Sequence, residues 1–247
     1  MDVWKEIYPV GFTAVDESDG LTLAAAFDYF QEAAIRHAEN LGVGRDPMSA
    51  LGQVWVLSRV SALIRRRPRQ AEQITVRTWP RGWEKLFALR DFDIQDEAGT
   101  PVASARSCWL IVDIKKRRPL RPQAAMEKLP LNEGLDALAD GGKGLDAPAG
   151  AEKVAERTAA YSDIDFTGHM NNARYVQWIQ DMLESGALAR AETMRLDINY
   201  LSEVKLGETL ELWKAPVPSP EGESTVIEGR RGGSPVFRAK LLLGFIR

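Results

Sequence analysis

The chain concentrates its polar, chemistry-bearing residues in Tyr161-Ser-Asp-Ile-Asp-Phe-Thr-Gly-His-Met-Asn-Asn-Ala-Arg-Tyr-Val-Gln-Trp178. The end of this stretch and the residues after it predict an amphipathic helix, because apolar and polar residues separate at helical spacing. The apolar face is Val176, Ile179, Leu183 and Ala187, and the polar face is Arg174, Gln177, Asp181 and Glu184. Asp165 and His169 therefore lie just before a helix N-terminus, where unpaired backbone N–H groups can polarise a carbonyl oxygen or stabilise an oxyanion.

Composition limits the class of protein. The 247 residues are 45% hydrophobic, which is enough for one large domain or two small ones, and the net charge of −3 argues against general nucleic-acid binding. Cys108 is the single cysteine, so no internal disulfide forms, as expected in a reducing cytoplasm. Met1–Glu6 lacks the pattern of a signal peptide, and no apolar run is long enough to span a bilayer. We therefore expect a cytoplasmic protein without a membrane partner.

Helical spacing and alternation predict the elements of the first half. A strand near Trp4 to Val15 precedes a helix with Leu23, Phe27, Phe30 and Ala34 on one face. Strands follow at Val54 to Ile64, Ala71 to Thr78, Leu86 to Ile94 and Val102 to Ile114, with a hairpin turn at Asp96–Gly99. In the second half we expect strands near Val154 to Tyr161, Met194 to Leu201, Thr209 to Lys214, Ser224 to Arg230 and Pro235 to Phe245.

Between the halves, Asn132–Ala151 is rich in Gly, Ala and Asp and has no aromatic residue, a composition typical of a mobile linker. We therefore expect an N-terminal domain over 1–128, a linker over 129–152 and a C-terminal domain over 153–247. One helix followed by a run of antiparallel strands predicts an α+β fold in each domain, and two such domains can pair as a pseudo-dimer.

The second half repeats the first. Glu72–Arg77 matches Glu208–Trp213, Gly99–Val102 matches Gly233–Val236, and Cys108 falls opposite Leu242. Asp28-Tyr-Phe-Gln31 matches Arg174-Tyr-Val-Gln177, which places Asp165 opposite Asp19 and His169 opposite Leu23. The first copy thus lacks the His and the Asn pair, and we expect the catalytic site wholly in the second half. The helix face with Leu23, Phe27 and Phe30 is then a packing surface or the wall of a pocket.

The stretch from Tyr161 resembles the D-x-x-G-H-x-N-N-x-x-Y motif of hotdog-fold thioesterases, and the chain as a whole resembles the acyl-ACP thioesterase family. Ala105-Arg-Ser-Cys-Trp109 is similar to the family's A-x-S-x-W strand. Tyr200-Leu-Ser-Glu-Val204, which we expect on the strand after the second helix, is similar to the family's Y-R-R-E-C segment at Tyr200 and Glu203. The resemblance implies two fused hotdog domains, each a long helix wrapped by an antiparallel sheet.

The resemblance also implies a catalytic set of Asp165, His169 and Glu203. Thr167 stands where the family has an Asn, and Val204 stands where it has a Cys, so a thiol beside Glu203 is excluded. A threonine hydroxyl can donate one hydrogen bond but cannot replace an amide donor and acceptor together. Asp165 is either general base or nucleophile, His169 orients or protonates, and Glu203 holds a water, with the helix N-terminus binding the thioester oxygen.

Several further residues have a structural interpretation as well as, or in place of, a functional one. Asn171 and Asn172 are candidates for substrate binding, although fixing the helix entry is the commoner role of such residues. His37 is expected to be structural, and Trp79, Trp83 and Trp109 are expected in the core or in cleft walls. Two basic clusters are candidates for docking acidic acyl carrier protein or are simply solvated charge: Arg65, Arg66, Arg67, Lys115, Lys116, Arg117 and Arg118.

The resemblance therefore implies an enzyme that hydrolyses fatty acyl-acyl carrier protein to free fatty acid, with acyl carrier protein and an acyl chain as partners and no nucleic acid. No metal or organic cofactor is implied, because the sequence has no ligand cluster of metal spacing and no phosphate loop. The alternatives are an acyl-CoA thioesterase and a non-catalytic acyl-binding hotdog protein. Monomer and homodimer remain open, as does the acyl-chain preference.

Overall fold

The computed structural model describes residues 2–127 and 129–245, which form an α+β protein on one antiparallel sheet of eleven strands. The first half contributes β1 (Trp4–Pro9), β2 (Gln53–Ile64), β3 (Gln73–Glu84), β4 (Phe87–Gln95), β5 (Pro101–Asp113) and the short β6 (Arg118–Leu120). The second half contributes β7 (Glu152–Thr158), β8 (Thr193–Tyr200), β9 (Thr209–Val217), β10 (Glu223–Arg231) and β11 (Ser234–Gly244). Every predicted strand is present, and β3 differs most from its prediction because it continues beyond Thr78 to Glu84.

The strand order of the second half mirrors that of the first half. The full order runs β1-β3-β4-β5-β2-β8-β11-β10-β9-β7, with β6 added beside β5. The two halves join where β2 pairs antiparallel with β8, and Ser61 lies opposite Asp197 in that pairing. This order gives the sheet a pseudo-two-fold axis between the halves, which is the pseudo-dimer that the sequence repeat predicts.

The helices differ in length between the halves. They are α1 (Leu23–Asn40), α2 (Arg45–Ala50), α3 (Gln123–Met126), α4 (Asn172–Gln180) and α5 (Ala187–Arg190), with 3-10 turns at Phe12–Ala14 and Tyr161–Asp163. The prediction of a long second helix is wrong, because α4 ends at Gln180 and Leu183 and Ala187 lie beyond it. Gly186 takes a left-handed φ of 73° just before α5, which interrupts the helical path although the apolar spacing continues. Within the described residues, no helix is long and apolar enough to cross a membrane.

The core lies between the helices and one face of the sheet. Val60, Ala62 and Ile64 alternate inward along β2, and Phe27 and Phe30 of α1 meet the same buried cluster. Fully burying one large apolar side chain stabilises the fold by about 1.5–3 kcal/mol. The helices therefore occupy the inner face, where any pocket between helix and sheet must also lie.

The segment between the halves crosses the outer face of the sheet. Arg106 of β5 donates to Asp136 Oδ1 at 2.5 Å, and Leu145 N donates to Asn199 Oδ1 of β8 at 2.7 Å. The segment is thus fixed to strands of both halves, in contrast to the mobility that its composition predicts. Polar side chains of the sheet supply the anchors that a Gly- and Ala-rich sequence does not reveal.

Candidate active site

A tight turn before α4 carries the predicted catalytic residues. Asp165 N donates to His169 O at 2.9 Å, and Gly168 N donates to Asp165 O at 3.0 Å. Gly168 has a φ of 79°, a left-handed conformation in which glycine avoids the strain of a side chain. The closed turn holds Asp165, Thr167 and His169 in fixed positions relative to one another.

The side chains of this turn form a continuous hydrogen-bonded series with Glu203. Thr167 donates to Asp165 Oδ1 from its backbone N at 2.8 Å and from its hydroxyl at 2.5 Å. The same hydroxyl lies 3.3 Å from His169 Nδ1, and His169 Nε2 lies 3.2 Å from Glu203 Oε2. The one hydroxyl proton is given to Asp165, so the contact with His169 requires a proton on Nδ1. The Thr167 hydroxyl thus links the Asp165 carboxylate to one imidazole nitrogen, and the other nitrogen faces the Glu203 carboxylate.

Glu203 reaches the site from a loop. The prediction that it lies on a strand is wrong, because β8 ends at Tyr200. The loop is fixed by the bond from Met170 N to Val204 O at 2.7 Å and by Arg231, which donates to Glu203 O at 3.1 Å. With 56% of its side chain exposed, Glu203 forms the solvent side of the site, whereas only 29% of the His169 side chain is exposed.

The two asparagines have different roles. Asn171 is the N-cap of α4, and its Oδ1 accepts from Ala173 N at 2.8 Å, which stabilises the helix by about 1 kcal/mol. This bond engages the side-chain oxygen of Asn171 and not its amide N–H groups, which are the donors that a carbonyl oxygen would need. Asn172 O accepts from Tyr200 Oη at 3.0 Å, and Asn172 lines a cavity at the start of the helix. Substrate contact therefore stays a prediction for both asparagines, and Asn171 is in addition the helix cap.

The cavity beside Asn172 is built mainly by the first half. Its walls are Phe27, Phe30, Gln31, Leu57, Val60, Phe92, Ser107, Trp109, Asn172 and Ala173. Phe27 and Phe30 line this cavity and also belong to the buried core, so packing and an acyl-chain wall both stay predictions for this helix face. Trp109 is the tryptophan that lies beside them. Leu23 and Trp79 are instead fully buried in the core, while Trp83 lies outside this cavity with 38% exposure.

The first half has the same turn with different partners. Ser18 donates to Asp16 Oδ1 from its backbone N at 3.0 Å and from its hydroxyl at 2.6 Å, as Thr167 does to Asp165. Gly20 stands in place of His169, and Arg67 stands in place of Glu203. The Arg67 guanidinium is paired with Asp16 and donates to Gly20 O at 2.6 Å. A Cβ on Gly20 would lie 2.6 Å from Arg67 Cζ, so this position has no room for an imidazole.

The register of the predicted repeat is therefore wrong at the first helix. Asp165 corresponds to Asp16, not to Asp19, because Asp16 accepts the same pair of bonds at the same place before its helix. Asp19 has a φ of 58° and corresponds to Gly168. A three-residue shift nearly preserves the apolar face of a helix, so the helical pattern does not separate the two registers. The conclusion that the first copy lacks the histidine is unchanged.

Comparison with known proteins identifies the family. The model of the acyl-ACP thioesterase N-terminal domain matches residues 1–126, and the model of the C-terminal domain matches residues 147–233. The chain belongs to the acyl-ACP thioesterase family. The resemblance seen in the sequence is thus confirmed over both halves.

Relatives of this family member come from plants and bacteria. A chloroplastic acyl-[acyl-carrier-protein] hydrolase of Cuphea viscosissima is 26% identical over 219 residues, which cover 84% of this chain and 53% of the relative. A chloroplastic palmitoyl-acyl carrier protein thioesterase of Cuphea hookeriana is 26% identical over 235 residues, which cover 89% and 56%. The chain spans about half the length of these curated relatives.

Solved structures of the family share the whole fold. An acyl-ACP thioesterase from Bacteroides thetaiotaomicron has a TM-score of 0.87 at 26% identity and covers 97% of each chain. The 12:0-ACP thioesterase from Umbellularia californica has a TM-score of 0.81 at 21% identity, with coverage of 97% of this chain and 96% of that chain. The predicted α+β fold of two fused hotdog domains is confirmed.

Cys108 lies away from the turn that holds Asp165 and His169. It is 3% exposed on the outer face of β5, and burial raises the pKa of its thiol to about 11. Its Sγ lies 3.8 Å from Gly142 O in the segment between the halves. A buried, protonated thiol is a poor nucleophile, as expected for a packing position.

The two basic clusters differ in their contacts. Arg66 pairs with Glu72 and Asp96, Arg67 belongs to the turn of the first half, and Arg65 donates to Ser104 Oγ at 2.9 Å. These internal partners weaken the prediction that the first cluster docks a carrier. The exposed turn Lys115–Arg118, here called the basic loop, has no side-chain hydrogen bond or ion pair to the described residues. Docking stays a prediction for that loop.

The described part of the chain holds no group of three His, Cys, Asp or Glu side chains placed to bind a metal ion. The site residues that the sequence missed are Gln31 and Ser107 in the cavity wall, together with the Asp16–Arg67 pair. When Asp165 is aligned with Asp16, Gln31 falls opposite Gln180, and this match would have indicated Gln31.

Proposed function

We propose that this chain hydrolyses the thioester of fatty acyl-acyl carrier protein, releases free fatty acid and so terminates chain elongation. The observation that carries the proposal is the hydrogen-bonded series Asp165, Thr167, His169 and Glu203 at the start of α4. Membership of the acyl-ACP thioesterase family supports it. Two carboxylates joined through an imidazole provide both a proton acceptor and a proton donor.

Asp165 acts on water through its second carboxylate oxygen. Oδ1 is engaged by Thr167, and Oδ2 has no hydrogen-bond partner among the described residues. Oδ2 removes a proton from the attacking water, whose oxygen then bonds to the carbonyl carbon. The carbon–sulfur bond breaks, and the carrier's sulfur leaves as a thiol with a proton supplied through His169. The positive end of the α4 helix dipole stabilises charge on the carbonyl oxygen meanwhile.

The acyl chain enters at the cavity beside Asn172, whose volume of about 20 Å³ has room for little more than one water molecule, so the walls must separate to admit a chain. Phe27, Phe30, Leu57, Val60 and Phe92 give this cavity apolar walls, which favour a hydrocarbon chain over a polar substrate. The cavity meets α4 at Asn172 and Ala173, only a few residues after His169. A bound chain therefore enters the first half while its thioester stays near the catalytic turn.

The carrier approaches the basic loop Lys115–Arg118. The loop is exposed, and acyl carrier protein is acidic, so complementary charge would speed and orient the encounter. The arginines of the first cluster are less suited, because Arg66 and Arg67 already neutralise carboxylates of this chain.

A product assay tests the proposal. Purified protein is mixed with a panel of acyl-acyl carrier proteins and, separately, with the matching acyl-CoA thioesters, and released fatty acids are measured by mass spectrometry. We expect faster release from the carrier, and no release above background from an Asp165→Asn variant. Faster turnover of acyl-CoA would overturn the carrier assignment. Tight retention of acyl chains without any product would overturn catalysis and support an acyl-binding protein.

A further inference from the structure

The helices of the two halves each carry a glutamine at the same position. Gln31 in α1 follows Asp16 by as many residues as Gln180 in α4 follows Asp165, so the two glutamines are equivalent in the repeat. Because the halves are related by a pseudo-two-fold axis, each glutamine faces the start of the other half's helix. Gln180 Oε1 accepts from Ala24 N at the start of α1 at 2.7 Å.

The N-cap residue of each helix determines which backbone N–H is available to the glutamine of the other half. In α1, the cap Thr22 accepts from Ala25 N at 3.1 Å, which leaves Ala24 N for Gln180. In α4, the cap Asn171 accepts from Ala173 N, which is the equivalent of Ala24 N, at 2.8 Å. The N–H that would pair with Gln31 is therefore already taken.

Gln31 is left facing the cavity. It lines the cavity together with Asn172 and Ala173, and its neighbours there include Phe27 and Phe30. Its carboxamide has no hydrogen-bond partner within residues 2–127 and 129–245. The Gln31 amide is not among the buried polar groups without a partner, so water can reach it, and a bound ligand can take the place of that water.

We propose that the Gln31 carboxamide donates a hydrogen bond to the carbonyl oxygen of the bound thioester. The first half would then supply an oxyanion donor to a catalytic site whose other residues belong to the second half. The proposal rests on the proposed function, and it departs from the expectation that the site lies wholly in the second half. A donor aimed at developing charge strengthens its bond in the transition state, so it acts on kcat more than on KM.

Two glutamines in equivalent positions allow a matched experiment. Gln31→Leu and Gln31→Glu both remove the donor, the second while keeping the shape of the side chain, and Gln180→Leu is the control. With acyl-acyl carrier protein as substrate, we expect kcat of both Gln31 variants to fall tenfold or more, with KM changed by less than about threefold and an unaltered Tm. Gln180→Leu should lower Tm because Ala24 N loses its acceptor, with kcat per folded molecule close to that of the wild type.

The outcomes separate this inference from the proposed function. Wild-type kcat in either Gln31 variant, or a change confined to KM, would overturn the donor role while leaving acyl-acyl carrier protein hydrolysis intact. Equal losses of kcat in the Gln31 variants and in Gln180→Leu would also overturn it, because a structural role then explains both. A wild-type protein that releases no fatty acid from acyl-acyl carrier protein would instead overturn the proposed function itself, and a fully active Asp165→Asn variant would overturn only the role of Asp165.

Discussion

The turn that precedes α1 and the turn that precedes α4 share an Asp–hydroxyl pair but differ in the third partner. In the second half, Thr167 holds Asp165 and His169 reaches on to Glu203. In the first half, Arg67 is paired with Asp16, and Gly20 leaves space for the guanidinium. The backbone of the turn is therefore compatible with chemistry or with a structural ion pair, and the residues at the Gly20 and Arg67 positions decide between them.

The Arg67 guanidinium contributes to the charge environment of Asp16. Partial burial alone would raise the pKa of Asp16, but the hydrogen bond from Ser18 and the Arg67 guanidinium outweigh it and lower that pKa. This stabilisation is present above the pKa of the unfolded chain and is lost as pH falls through the folded pKa. Asp16 thus contributes to folding, whereas Asp165 keeps one oxygen free for substrate.

The largest expected effect comes from exchanging each aspartate for asparagine. Asp165→Asn keeps an acceptor for Thr167 but removes the base, so turnover should fall about a thousandfold, within the range for general base catalysis. Asp16→Asn should leave turnover per folded molecule near the wild-type value and destabilise the protein by about 1–3 kcal/mol, because Arg67 loses its charged partner. Initial rates and thermal unfolding of both variants measure this. A folded Asp16→Asn protein without turnover would place chemistry in the first half.

The two histidines extend the comparison to pH. His37 in α1 is fully buried, and burial followed by the charge of Arg90 lowers its pKa to about 4. In the unfolded chain His37 has a pKa near 6.5, whereas in the folded protein its pKa is about 4. Protonation between these two values therefore favours the unfolded chain and lowers the free energy of unfolding as pH falls. We expect the free energy of unfolding to drop by about 3 kcal/mol between pH 6.5 and pH 4 from His37 alone.

A variant isolates this contribution. Denaturant unfolding of His37→Gln across the same pH range should show a shallower loss of stability than the wild type, whereas His169→Gln should retain the full loss because His37 remains. Identical slopes for the wild type and His37→Gln would assign the acid sensitivity to carboxylates instead.

The fold could be predicted further than the site. Alternating and helical spacing indicated ten of the eleven described strands and the start of both main helices, because these patterns depend directly on which face is buried. The short β6 was not predicted, since three residues are too few to show a pattern. The end of α4 could not be predicted, since the apolar pattern continues past Gln180 to Ala187. The Asp16–Arg67 pair and the contact of Gln31 with the start of α4 could not be predicted either. Both depend on how elements distant in sequence pack together. The family resemblance implied Asp165, His169 and Glu203, and Asp165, Thr167 and His169 could be placed together because they share one short turn. The loop position of Glu203 could not be predicted.

Removing the hydroxyl of each turn should have a smaller effect than removing the carboxylate. Thr167→Val preserves shape but breaks the link between Asp165 and His169, so we expect turnover to fall about tenfold, as for the loss of one hydrogen bond. Thr167→Ser keeps the hydroxyl and should restore most of the rate, and Ser18→Ala in the first half should leave it unchanged. Steady-state kinetics at constant pH tests the three variants, and an unaltered rate for Thr167→Val would show that the hydroxyl does not couple the two residues.

The smallest expected effect concerns the surface, where the two basic clusters differ as the two turns do. Arg66 donates to Glu72 Oε2 at 3.0 Å and Oε1 at 2.6 Å and lies 3.2 Å from Asp96, so Arg66→Glu would put like charges together and lower Tm. Arg117→Glu in the basic loop breaks no side-chain contact with the described residues, and we expect it to raise KM for acyl-acyl carrier protein about threefold at low salt. The effect should fade at high salt, because screening weakens the wild-type attraction as well. A carrier-free acyl thioester is the control, since its turnover depends on the catalytic turn but not on docking. Equal rises in KM for both substrates would remove the basic loop from docking and leave it as solvated charge.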